Sequence, residues 1–140
     1  MTQAKPMILL VDDDADFVAI NRHVLEAGGY RVMACYDSQE ALAMLAGQVP
    51  DLIITDLVMK SLDAGFEFSR QIKSDPRLAG VPVIIATSVS STMGYDFRPQ
   101  RQQDLAAMGV DAYFDKPIEP KALLSKVRDL LAQANRERPA

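Results

Sequence analysis

The sequence predicts an α/β protein: a doubly wound, five-stranded parallel sheet with five helices. Three observations carry that expectation. Short apolar runs alternate along the chain with segments whose apolar residues recur at helical spacing. The runs Met7–Val11 and Val83–Thr87 lack polar alternation, as expected of strands covered on both faces. Strands that alternate with helices join by right-handed crossovers, which put helices on both sides of a parallel sheet.

Each element has its own signal. After the first strand, Phe17, Ile20, Val24 and Leu25 mark a helix that Gly28 and Gly29 stop. Residues 30–36 form the second strand. Ser38 is the expected cap of a helix with the apolar stripe Ala41, Leu42 and Leu45, closed by Gly47. Pro50 precedes the third strand, Leu52–Thr55, and a helix over about 66–74 leads to a turn at Asp75-Pro76. Val83–Thr87 is the cleanest β-branched run. Residues 88–101 hold Ser88, Ser90, Ser91, Gly94 and Pro99 without a sustained period, so a long loop is expected there. A helix over about 100–108 ends at Gly109, and residues 112–114 form a short fifth strand. Pro120 suits a helix start, and Leu123, Leu124, Val127, Leu130 and Leu131 follow as the most regular stripe in the chain.

Composition narrows the function classes. The 140 residues fit one domain, which buries about 70% of the surface its unfolded form exposes and needs no disulfide or metal to stand. No apolar run approaches about 18 residues, and the first residues lack a signal-peptide layout, so a cytoplasmic protein off the membrane is expected. Lys and Arg number 15 against 19 Asp and Glu, with the basic residues scattered, which argues against direct nucleic-acid binding. Cys35 is the single cysteine and excludes an internal disulfide.

Ligands of such sheets bind at the carboxyl ends of the strands. Asp12, Asp13 and Asp14 follow the first strand and Asp56 the third; Thr87 closes the fourth, and Lys116-Pro117 lies just past the fifth. In a parallel sheet Asp12, Asp13, Asp56, Thr87 and Lys116 converge on one pocket. Neighbouring carboxylates repel unless a cation neutralises them, and Mg2+ suits this oxygen set because it accepts few protein ligands beside water and phosphate oxygens. A lysine and a hydroxyl opposite the acids suit a phosphoryl group, which predicts phosphoryl transfer onto a carboxylate. Asp56 stands alone facing the Asp12–Asp13 pair and is the expected nucleophile, giving an acyl phosphate. The remaining polar residues have structural readings. Asp14 is an N-cap, Asp16 suits the positive end of its helix, His23 lies away from the acids, and Cys35 is a small core residue.

Four blocks carry a family resemblance. Residues 8–14, ending in Asp12-Asp13-Asp14, resemble the opening of response-regulator receiver domains. Residues 50–59, around Asp56, are similar to their phosphoacceptor strand and loop; residues 81–88, with Thr87, to the strand carrying their hydroxyl residue. Residues 109–117 resemble the block with their lysine and proline, and the likeness spans about residues 7–134. The resemblance implies a flavodoxin-like receiver fold, a single receiver domain over 1–140 with a frayed tail at 135–140, and output through a partner. It implies that Asp56 takes a phosphoryl group from a phosphohistidine of a sensor histidine kinase or phosphotransfer protein. Asp12, Asp13, Asp56 and the Val58 carbonyl would hold Mg2+, while Thr87 and Lys116 would meet phosphoryl oxygens. Tyr113 matches the aromatic switch that follows Thr87, and the Lys116–Pro117 peptide would be cis. A downstream effector protein would read the switch, with the domain a monomer or weak homodimer and not itself an enzyme.

Three departures from the family pattern stand out. After Asp56 the chain reads Met59-Lys60-Ser61-Leu62-Asp63-Ala64-Gly65, without the usual proline and with Ala64 inserted. Val58 and Val89 occupy positions that gate hydrolytic water, and neither can orient it, so slow autodephosphorylation is expected. Between Thr87 and Lys116 the chain is longer than the pattern by roughly seven residues, about two helical turns, with the excess at 90–99. A flavodoxin is disfavoured because Asp12, Asp13 and Asp14 would repel its phosphate, and an aspartyl phosphatase because Val58 stands where its second acid belongs. The alternative function is a degenerate receiver that acts as a phosphorylation-independent docking module.

Overall fold

The strands β1 (Met7–Val11), β2 (Arg31–Cys35), β3 (Leu52–Thr55), β4 (Val83–Thr87) and β5 (Ala112–Asp115) form one parallel sheet in the order β2-β1-β3-β4-β5. The computed structural model describes residues 5–56, 64–87 and 110–137. Four helices lie among them: α1 (Ala15–Ala27), α2 (Ser38–Leu45), α3 (Ala64–Ser74) and α4 (Pro120–Glu137). The expected fifth helix, over about 100–108, falls outside the described residues. None of the described helices is long and apolar enough to cross a membrane.

Period-two alternation divides the sheet's side chains between two cores. Ile8 and Leu10 of β1 join Leu52, Ile54 and Ile84 beneath α1 and α4, where Leu25, Leu123 and Val127 meet them. Leu9 and Val11 point the other way, with Ile53 and Val83, toward Leu45, Phe68 and Ile72 of α2 and α3. Both faces are therefore dry, which is why the strand runs show no polar alternation. The α1 terminus packs closely on α4: a Cβ added at Gly28 would sit 2.6 Å from Leu124 Cδ2, and Gly29 takes the left-handed turn at φ 99°.

Local boundaries differ from the sequence expectation: β2 covers Arg31–Cys35 within the expected 30–36, β5 runs one residue further to Asp115, and three helix termini shift. The cap of α2 is Asp37, not Ser38: Asp37 has an extended backbone and its carboxylate accepts the Glu40 N–H at 2.7 Å. Ser38 is instead the first helical residue. Helix α3 begins at Ala64 rather than about residue 66, and α4 continues to Glu137, into the 135–140 segment expected as a frayed tail. Asp14 does cap α1, with its side chain accepting the Asp16 and Phe17 N–H groups.

Candidate functional site

The chain leaves β1 to one side to build β2 and returns on the other to build β3, so the order reverses between β1 and β3. The crevice at that reversal is where doubly wound sheets bind ligands. Asp12 and Asp56 are the first residues past those two strands. Backbone ladders hold both: the Asp12 N–H donates to the Cys35 carbonyl at 3.0 Å and the Asp56 N–H to the Val11 carbonyl at 3.1 Å. The two carboxylates are thus set by the sheet rather than by loop structure.

Asp12 is fully buried, Asp56 is buried, and Asp13 is exposed. One carboxylate oxygen from each of the three lies within 4.8 Å of the others. The Asp12 carboxylate uses Oδ1 to accept the Asp14 N–H at 2.9 Å. Its Oδ2 meets Lys116 Nζ at 2.7 Å, and the same ammonium lies 3.2 Å from Asp56 Oδ2. Lys116 reaches the pair from just beyond β5, ahead of a cis peptide to Pro117. Its ammonium also sits over the Phe17 ring, 4.2 Å from the centroid.

Among the described residues, the Lys116 ammonium faces two buried carboxylates, with Asp13 adding a third at the surface. Burial is the main reason that the Asp12 carboxyl is pushed up to about 6, and the neighbouring Asp56 charge adds to it against the opposing pull of Lys116 and the Asp14 N–H. Burial alone would lower Lys116, but its contacts with Asp12 and Asp56 outweigh that and hold it above its ordinary value. The folded state binds the Asp12 proton more tightly than the unfolded chain does. The Asp12 contribution to stability without divalent cations is therefore expected to fall as pH rises from about 4 to about 6, then level off. Asp12→Asn should lack this slope and exceed wild type by about 2 kcal/mol at pH 7, measured by urea unfolding across that range. An identical slope in the variant would place the titration elsewhere.

The other expected site residues are reached unevenly. Thr87 ends β4, in register with Asp115, while its side chain lies outside the described residues. Val58, Lys60, Val89 and the 90–99 segment lie outside them altogether. Tyr113 is half-buried in β5, opposite Ile85. His23 is exposed on α1. The Cys35 thiol is buried, and burial first, then Glu40 and Asp37, raises it to about 11, so it stays protonated and inert at neutral pH. Sequence reasoning placed Phe17 only in the α1 apolar stripe and missed its contact with Lys116. Its position three residues after a capping aspartate, in the first turn beside the acids, was the available signal.

The profile of the response regulator receiver domain family matches residues 8–128, and the chain belongs to that family. The DNA-binding dual master transcriptional regulator RpaA of Synechocystis sp. is 33% identical over 138 residues, covering 94% of this chain and 51% of that protein. Response regulator PleD of Caulobacter vibrioides is 36% identical over 123 residues, covering 88% of this chain and 25% of that protein. The chain therefore spans about half and a quarter of the length of these two relatives. The signal receiver domain of a signal transduction histidine kinase from Syntrophus aciditrophicus shares the fold with a TM-score of 0.78 at 30% identity, over 96% of each chain. Receiver domains are regulatory and work with histidine kinases and effectors, and the family typically binds Mg2+ at an acidic cluster such as the one described above.

Proposed function

We propose that this chain is a phosphoacceptor receiver in which Asp56 takes a phosphoryl group from a phosphohistidine of a sensor histidine kinase or phosphotransfer protein. The observation that supports this most is a buried Asp56 carboxylate at a strand end, 3.2 Å from Lys116 Nζ and clustered with Asp12 and Asp13. In the transfer an Asp56 oxygen attacks phosphorus, the new O–P bond forms, and the P–N bond to the donor imidazole breaks with its electron pair leaving on nitrogen. Lys116 is placed to follow the negative charge from the carboxylate onto a phosphoryl oxygen.

The donor set fits a hard divalent cation: among the described residues, three carboxylates each offer an oxygen within 4.8 Å of the others. Asp12, Asp13 and Asp56, with the Val58 carbonyl, would hold Mg2+, which when bound neutralises charge on the transferring phosphoryl oxygens. Thr87 would donate to another of these oxygens, and Tyr113 would change rotamer with it. That switch would control binding of a downstream effector protein, in the cytoplasm and without direct nucleic-acid contact by this domain.

The test is intact-mass labelling with a small phosphodonor and Mg2+, which is expected to add one phosphoryl group. A folded protein that neither labels nor binds Mg2+ would leave the docking-module function instead. The attached group is expected to be long-lived, because Val58 and Val89 offer no hydrogen bond to orient an attacking water. A lifetime as short as that of family members with polar residues at both positions would remove this expectation.

A further inference from the structure

We propose that Phe17 is a positioning residue for Lys116, its ring face forming the third wall of the cage that keeps the ammonium astride Asp12 and Asp56. The effect on transfer rests on the phosphoacceptor reading of Asp56. The contact itself does not.

An ammonium has three N–H donors and no acceptor. Two directions are taken by Asp12 Oδ2 at 2.7 Å and Asp56 Oδ2 at 3.2 Å. The Phe17 ring, with its centroid 4.2 Å from Nζ, covers another side. The Lys116 side chain is only 12% exposed, so solvent has a small part in completing its surroundings. A ring face attracts a desolvated cation more strongly than a hydrated one.

Phe17 is itself held firmly. Its N–H donates to the Asp14 cap at 3.2 Å, and its carbonyl accepts from the buried Asn21 amide at 2.9 Å. The side chain is buried within the α1–α4 core. The two bonds fix the backbone at Phe17, and burial in the core restricts the ring. An aliphatic side chain there would fill much of the same space but present no negative face. Without that face, the flexible lysine stem gains rotamers, and the shorter Asp12 contact would draw the head away from Asp56. A ring face also attracts without a fixed direction, so the ammonium can pivot as negative charge moves outward from Asp56 without leaving the ring.

The test separates ring charge from ring shape. Phe17→Leu is expected to slow phosphoryl uptake from a small phosphodonor, at saturating Mg2+, by about three- to tenfold. Phenylalanines carrying one, two and three ring fluorines at position 17 keep the shape while weakening the negative face. They should slow uptake stepwise toward the Phe17→Leu value. Equal rates across the fluorinated series would overturn the proposal even where Phe17→Leu is slow, since a packing role follows shape alone. A second readout needs no phosphorylation. In protein labelled with 15N-lysine, the Lys116 ammonium protons should be ring-shifted in wild type and lose that shift in Phe17→Leu. Unchanged resonances would overturn the contact. A protein that takes up no phosphoryl group would end the phosphoacceptor reading, while the resonance still decides for or against the Phe17 cage.

Discussion

Asp56→Asn is expected to reduce phosphoryl uptake from one group per chain to none, under conditions that label the wild type fully. Asparagine keeps the size and the strand-end position of Asp56, and its amide oxygen is a far weaker nucleophile than a carboxylate. The variant should fold, because the substitution removes one of two like charges that share Lys116 and so eases the burial of Asp12. The Asp12 carboxyl should come down only a little from about 6, because burial, the main cause of its raised value, remains, and carboxyl NMR would follow this. Asp12→Asn and Asp13→Asn leave the acceptor in place and should slow labelling without emptying it. Intact mass on the three variants makes the comparison. Full labelling of Asp56→Asn would take the acceptor role from Asp56.

Lys116→Met is expected to lower stability by about 3 kcal/mol at pH 8 without divalent cations. Methionine preserves the length and apolar body of the side chain, so the loss reports the charge. Two buried carboxylates would then face each other without the ammonium that lies 2.7 Å from one and 3.2 Å from the other. Asp12, already raised by burial, should bind its proton more tightly still without the opposing pull of the ammonium. The sign follows: the deficit is largest above the raised folded value of Asp12 and shrinks as pH falls below it. Added Mg2+ should recover part of it by binding the folded chain alone. Urea titrations at pH 5 and pH 8, with and without Mg2+, read both effects. A deficit that ignores pH and Mg2+ would mean that Lys116 contributes packing rather than charge.

The sheet and the convergence of the acids were legible in the sequence because they depend on short-range patterns. Ile8 and Leu10 go to one core and Leu9 and Val11 to the other, so an unbroken apolar run is the direct consequence of two dry faces. Parallel strands then bring their carboxyl ends to one edge, and Asp12, Asp13, Asp56 and Lys116 needed only their place after a strand to be grouped. The α2 cap was not legible in the same way. Asp37 and Ser38 are both capping residues, and the choice falls to the extended backbone at Asp37 and the Glu40 N–H within its reach.

By itself, then, the sequence determined the strand–helix alternation, the two-faced core and the residue types at the strand ends. Only the tertiary structure decided how those residues divide the work. Asp12 and Asp13 are neighbours of identical chemistry, yet the ladder bond to Cys35 turns Asp12 into the crevice and leaves Asp13 at the surface. Lys116 lies 60 residues from Asp56, and only the sheet order β2-β1-β3-β4-β5 brings its ammonium between the two buried carboxylates. Phe17 belongs to an apolar stripe that could face any core; the phase of α1, set by the Asp14 cap, puts its ring against that ammonium. Periodicity reports which side of an element is buried, but contact between side chains distant in sequence depends on where the elements dock. That information is carried by packing and not by any local pattern.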